Sequence, residues 1–528
     1  MQNTFQTWLR ERSSGVLMHI SSLPGKFGIG NLGQPAHDFV DYLADAGFRH
    51  WQICPIGPTG YGDSPYQSFS SFAGNPYFID LDQLVKARLL TEGELVPLFQ
   101  LPYAEVDYGW LYAEFWPILE TAHQRFIAMG EDEVNGHSYS KFIEAESEWL
   151  DGYAAFMALK AHHGGRPWQE WEECYRNFKA LSLDKLPSEI QELAASHKFY
   201  QFIFFTQWES LHEYARDKGI RIVGDLPIFV SMDSADAWQF REVFRLDEQG
   251  EPEALSGVPP DYFSEDGQFW GNPLYDWDYL KSTDYDWWVK RLKACFRTCD
   301  VLRLDHFRAF DTYWEIPAGS TNARIGNMRD GPGMNFFESI SRQIPELPII
   351  AEDLGYITEG TVRLRQQAGF PGMKILQFGY GHDDNNVNLP HFYPRESVVY
   401  TGTHDNDTTR GWLSSLDGES ADQIRGYYKL KPGDCSAWGI IEAGFACVSL
   451  LAVFPCQDLL DLGSEARMNK PGTMGNNWKW RLTKDQLAYL KATTVHKLLS
   501  LQKTYDRTGD SKQREYSAPP ESTELVRH

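Results

Sequence analysis

Eight short apolar runs, most of them separated by helical patterns, restrict the fold of this 528-residue chain more than any other feature. They lie at 15–20, 50–56, 221–226, 301–306, 348–353, 374–378, 398–405 and 450–454, the last with its start blurred by an apolar, helix-like run before it. Strands that alternate with helical stretches, such as 36–46 and 287–297, imply parallel βαβ units. Eight such units imply an α/β fold of the closed (β/α)8 TIM-barrel type.

The intervals between the runs are uneven, and this locates the insertions. The gap from 57 to 220 holds a Gly/Ser/aromatic loop and then a helix-rich stretch, far more than one crossover helix needs. A second excess falls at 231–285. Both follow strand C-termini, so both are expected to build over the face where a barrel carries its chemistry. The reading is one catalytic barrel over 1–505, with a polar, frayed tail at 506–528.

Three of the runs end in acids: Asp305 and Glu352 directly, and Asp405 after a short turn. A solvated loop carboxylate needs no apolar strand behind it, whereas a barrel places catalytic groups at strand C-termini. Any one of these acids could simply cap the helix that follows. Arg303 and Asp305 are two apart on one strand, so their side chains leave the same face. An Arg beside an Asp favours the ionised carboxylate, which suits a nucleophile; a structural ion pair would look the same. Glu352 and Asp353 point to opposite faces, so only one can serve as a proton donor, and spacing does not say which. His404 and Asp405 could hydrogen-bond the hydroxyls of one sugar ring. Asp225 could do so too, or cap a turn. Three such acids suggest glycosidic chemistry.

Aromatic residues make up 14% of the chain and are dense in loops, including Tyr61, Tyr66, Phe69, Phe72, Tyr77, Tyr262, Phe263, Phe269, Trp270, Tyr275 and Trp277. Pyranose rings stack on aromatic faces; the same residues could instead pack the insertions onto the barrel. A formal charge of -24 counts against nucleic acid or an anionic membrane surface, and it leaves a neutral substrate such as a sugar unaffected. The seven cysteines are scattered without a CxxC pair, and no second His stands at ligand spacing from His404, so neither a metal nor a redox cofactor is expected. Residues 1–12 are polar and no run of about 18 apolar residues exists, which points to a cytoplasmic protein that does not span a membrane.

The motifs resemble one family, the 4-α-glucanotransferases called amylomaltases or disproportionating enzymes, relatives of the α-amylases. They are His19-Ile20-Ser21-Ser22-Leu23-Pro24-Gly25, Gly62-Asp63-Ser64-Pro65-Tyr66, Gly224-Asp225-Leu226-Pro227, Arg303-Leu304-Asp305-His306-Phe307-Arg308, Ala351-Glu352-Asp353-Leu354-Gly355 and Gly402-Thr403-His404-Asp405. The resemblance runs from 14 to 501. It implies that Asp305 is the nucleophile, Glu352 the acid/base and Asp405 the transition-state stabiliser. It places Arg303, His404 and Asp225 around the sugar next to the scissile bond, with Tyr66 nearby. It also implies an acceptor-side loop carrying Asp261 and Trp270, a second rim loop over 469–478 with Asn476 as a sugar contact, and no separate C-terminal β-domain.

The expected function is retaining transfer of α-1,4-glucan segments to the 4-hydroxyl of another glucan, maltooligosaccharide or glucose, without a cofactor. Retention requires the two working carboxyl groups about 5–5.5 Å apart. An α-amylase-type hydrolase, with water as acceptor, shares all three acids. A non-catalytic glucan-binding protein has no use for a nucleophile and a proton donor. Chain-length preference, cyclic products and oligomeric state leave no trace in the sequence.

Overall fold

A computed structural model describes residues 8–260, 265–379, 388–431 and 433–509, without the side chain of Tyr61. Eight parallel strands close into a barrel: β1 Ser13–Leu17, β2 His50–Gln52, β3 Arg221–Leu226, β4 Val301–Leu304, β5 Ile349–Ala351, β6 Gly372–Ile375, β7 Ser397–Tyr400 and β8 Leu451–Pro455. Each pairs with its neighbour in sequence, and β1 returns to β8 with Ser13 opposite Leu451. The strands are apolar on both faces because one face fills the barrel and the other meets the helices. Leu17, Val223, Val301, Ile350, Met373, Val398, Leu451 and Val453 form the inner cluster. Their neighbours Val16, Ile222, Leu302, Ile349, Val399 and Ala452 pack outward.

All eight expected strands form, several with shifted ends. The second ladder stops at Gln52, ahead of Pro55, which lacks the N–H a strand interior needs. The sixth begins at Gly372 and gives way to a short 3-10 turn at Leu376–Phe378.

Between β2 and β3 stand the long helices Tyr108–Met129, Tyr139–His162 and Ser188–Asp217. Their aromatics pack on one another: Phe126 on Phe199, Phe142 on Phe202 and Trp149 on Phe205, with ring centroids 4.9 to 6.0 Å apart. The aromatic richness of this stretch is therefore its own core.

The connections after β3 and β4 share a four-stranded antiparallel sheet, in the order Asn327–Asp330, Thr312–Pro317, Ala254–Val258, Gln268–Pro273. The 231–285 insertion is thus completed by residues beyond β4. The strand Asn327–Asp330 is exposed throughout and has no apolar alternation to announce it.

Arg507, which the sequence assigns to the frayed tail, is instead fully buried. Its guanidinium donates to the carbonyls of Ser13, Leu450, Phe445, Gly444, Cys447 and Ser449, clasping the starts of β1 and β8. A guanidinium's fan of donors satisfies carbonyls at a helix end and a strand edge that would otherwise be buried without partners. Among the described residues, no helix is long and apolar enough to cross a membrane.

Candidate active site

Alternation along the strands explains which side chains meet. Val223, Val301 and Ile350 point into the barrel, so Asp225, Arg303 and Glu352, each two residues on, face the same interior at its C-terminal mouth. Asp305 follows Arg303 by one more step of two. His404 and Asp405 arrive from the turn after β7.

Arg303 organises this mouth. Its Nη1 lies 2.8 Å from both carboxylate oxygens of Asp225 and 2.8 Å from Oδ1 of Asp305. The Arg303 and Asp225 side chains are nearly inaccessible, whereas Asp305 keeps about a quarter of its side-chain surface open (27%). A buried guanidinium flanked by two carboxylates stays charged, as the Asp225 and Asp305 fields push Arg303 upward against the cost of burial. Burial raises Asp225, and the Arg303 charge opposes that rise. Tyr66 donates its hydroxyl to Asp225 Oδ2 at 2.7 Å, and its ring stacks on His404 at 5.0 Å.

Glu352 and Asp353 separate as their alternation demands. Glu352 Oε2 accepts the His306 N–H at 2.7 Å, and Oε1 accepts the Leu354 N–H at 3.0 Å. Burial, with Asp305 as a neighbouring anion, pushes the Glu352 carboxyl up to about 8. Asp353 points outward, accepting from the Met373 N–H at 2.7 Å and pairing with Arg365 at 2.9 Å. It ties β5 to β6 and the helix Glu359–Ala368, away from the mouth. His306 itself adopts a left-handed conformation, φ 49 and ψ 49, which aims its N–H at Glu352. A non-glycine residue held there is uncommon. Burial lowers its ring to about 4, so the imidazole is neutral at ordinary pH.

Asp405 is the most open of the three acids, with 44% of its side chain exposed. Its Oδ1 accepts from Asn469 Nδ2 at 2.6 Å and lies 3.4 Å from His404 Nε2.

The loop aromatics divide. Tyr77 and Tyr275 are buried, Phe72 stacks on Trp149, and Trp277 packs against Trp288 and Phe310, so these hold the insertions in place. Tyr66 sits with Asp225, His404 and Trp478, while Trp270 stands edge-on to His306 with centroids 4.7 Å apart. Tyr66 and Trp270 thus touch different partners on different loops. Phe269 beside it is 40% exposed. Asn476 is exposed on the rim at φ 56, and the side chain bracing that loop is its neighbour Asn477, which accepts from the Lys470 N–H at 3.0 Å. Asp261, with Tyr262 and Phe263, lies outside the described residues. The roles of Trp478, Asn469 and the His306 backbone were invisible in the sequence, since each depends on a partner far along the chain or on a backbone angle.

A cluster of carboxylates around one arginine at a barrel's mouth, beside aromatic loops, suits sugar chemistry. The sequence model of the 4-alpha-glucanotransferase family matches residues 18–487. The chain belongs to this family. The 4-alpha-glucanotransferase of Thermus thermophilus is 46% identical over 487 residues, which cover 90% of this chain and 96% of that protein. That of Streptococcus pneumoniae serotype 4 is 44% identical over 501 residues, covering 93% and 98% respectively. The solved structure of an amylomaltase from Streptococcus agalactiae in complex with acarbose matches with a TM-score of 0.88 at 40% identity, over 94% of this chain and 100% of that one. The 4-alpha-glucanotransferase family is thus the one that the motifs had indicated, and its members match this chain across barrel and insertions alike.

Proposed function

We propose that the protein is a retaining 4-α-glucanotransferase in which Asp305, Glu352 and Asp405 carry the chemistry. The observation behind this reading is the contrast between two neighbouring carboxyls: Asp305 paired with Arg303, and Glu352 buried and pushed up to about 8. Asp305 attacks the anomeric carbon of an α-1,4-glucan while Glu352 gives its proton to the departing 4-oxygen. Asp225, Arg303 and His404 hold the sugar whose bond breaks, and Asp405 faces the positive charge that develops on its ring.

The second step follows from the same electrostatics. Once Asp305 is esterified it is no longer an anion, so one of the two influences that raised Glu352 is gone while burial remains. The His306 and Leu354 N–H groups then favour the carboxylate, which is the form needed to take a proton from the acceptor's 4-hydroxyl. Acceptor attack on the same carbon releases Asp305, and two inversions leave the α configuration. The substrates are α-1,4-glucans and maltooligosaccharides, with glucose as a further acceptor. Four of the seven thiols are buried and all are free, which supports a cytoplasmic location.

Maltotriose alone tests transfer against hydrolysis. A ladder of longer oligomers is the expected product, and glucose with maltose alone would mean that water is the acceptor. The pH dependence has a defined sign: Glu352 must be protonated for the first step, so kcat/KM holds through neutrality and falls about tenfold per unit above about pH 8. A basic limb below pH 6 contradicts the environment assigned to Glu352. Trp270→Ala is expected to weaken acceptor stacking and raise the hydrolysis-to-transfer ratio about 3–10-fold. Glucose release from maltoheptaose, measured against the spread of longer products, reports that ratio. An unchanged ratio makes Trp270 a packing residue only.

A further inference from the structure

Asp405 differs from the other acids in having little behind it. Asp225 and Glu352 are held by the strands that carry them and by fixed donors, whereas Asp405 stands two-fifths exposed on a turn. An exposed carboxylate rotates freely unless something holds it, and a group meant to face a developing charge must be fixed before the charge forms. The segment just past β8 supplies the hold. Asn469 Nδ2 donates to Asp405 Oδ1 at 2.6 Å, and the Asn469 N–H donates to the His404 carbonyl at 3.0 Å. Arg467 donates from Nη2 to the Asp405 carbonyl at 2.6 Å and from Nε to the Asn469 carbonyl at 2.9 Å. Between them Met468 is buried. Backbone and side chain of Asn469 are thus fixed together against the turn bearing His404 and Asp405.

We infer that Asn469 is a positioning residue for Asp405, orienting its carboxylate through a neutral donor that leaves the negative charge intact. The choice of side chain has a physical reason. A Lys or Arg at this place would hold the carboxylate equally well but would set a positive charge directly on it, offsetting the field that the sugar's cationic transition state needs. The guanidinium of Arg467, by contrast, is directed at the backbone carbonyls of Asp405 and Asn469. An amide donates a hydrogen bond and adds no net charge. It occupies Oδ1 and leaves Oδ2 for the substrate. This inference rests on the proposed role of Asp405 and extends it to the side chain that holds its carboxylate.

Four variants test it, assayed with maltotriose and with α-glucosyl fluoride: Asn469→Ala, Asn469→Asp, Asp405→Asn and the Asn469→Ala/Asp405→Asn double. Asn469→Ala is expected to lower kcat about 10–100-fold with the donor KM within threefold of the parent. Asn469→Asp sets two carboxylates against each other, which must share a proton to regain the hydrogen bond. Its activity relative to the parent therefore rises as pH falls, while that of Asn469→Ala stays flat. In the Asp405→Asn background, Asn469→Ala should add little further loss, because the group it positions is already gone. Wild-type kcat in Asn469→Ala, fully additive losses in the double variant, or parallel pH profiles for the two Asn469 variants would each overturn the inference. An active Asp405→Asn enzyme would instead overturn the reading of Asp405 itself.

Discussion

Asp305→Asn is expected to reduce transfer from maltotriose by at least about 10⁴-fold, about 5.5 kcal/mol of transition-state stabilisation. The amide preserves shape but offers no anionic oxygen to the anomeric carbon. The substitution should be silent in folding, because Arg303 keeps its contacts to both oxygens of Asp225 and is not left as a lone buried charge. Maltooligosaccharide affinity measured by calorimetry should therefore stay within about threefold, since one surviving carboxylate still neutralises Arg303. Residual activity within tenfold of the parent would sink the assignment of Asp305 as nucleophile.

Glu352→Gln should slow maltotriose turnover by about 10²–10⁴-fold, because both the departing and the entering oxygen depend on its proton. A glucosyl fluoride leaves without protonation, so the first step should recover with that donor while the second remains slow. The basic pH limb should vanish with the group that causes it. Asp353→Asn is the matched control: Asp353 faces Arg365 and the Met373 N–H on the barrel's outer side, so its loss should lower thermal stability and spare kcat. The opposite pattern, a dead Asp353→Asn and an active Glu352→Gln, would show that the wrong neighbour was chosen.

Much of this site was legible in the sequence because strand alternation and barrel topology are local rules with a global consequence. Arg303 and Asp305 share a face by spacing alone, and the apolar runs before Glu352 and Asp405 marked their height in the barrel. Spacing could show that Glu352 and Asp353 diverge but not which of them faces outward; the resemblance chose Glu352 as the acid/base, and Asp353 is the one packed against Arg365. The Asn469–Asp405 bond joins segments 64 residues apart, and no local pattern encodes it. The antiparallel sheet over the mouth escaped for a related reason: its strands are short, partly exposed and drawn from two connections. Arg507 was misread because a polar residue near a chain end looks solvated, whereas its partners are backbone carbonyls of every composition. Tyr66 was read as a sugar platform from its loop; its hydrogen bond to Asp225 and its stacking on His404 are contacts that the loop's composition does not show.

The proposed mechanism passes through a covalent glycosyl intermediate on Asp305, released to a sugar acceptor under the control of Glu352. Incubating Glu352→Gln with α-maltosyl fluoride should load the enzyme and leave it loaded, since the base that activates the acceptor is missing. Mass spectrometry of the digested protein should then place one maltosyl unit on the peptide containing Asp305, and adding azide, an anion that needs no base, should remove it. An unmodified protein that still consumes the fluoride, or a maltosyl unit on any residue other than Asp305, would rule out Asp305 as the nucleophile.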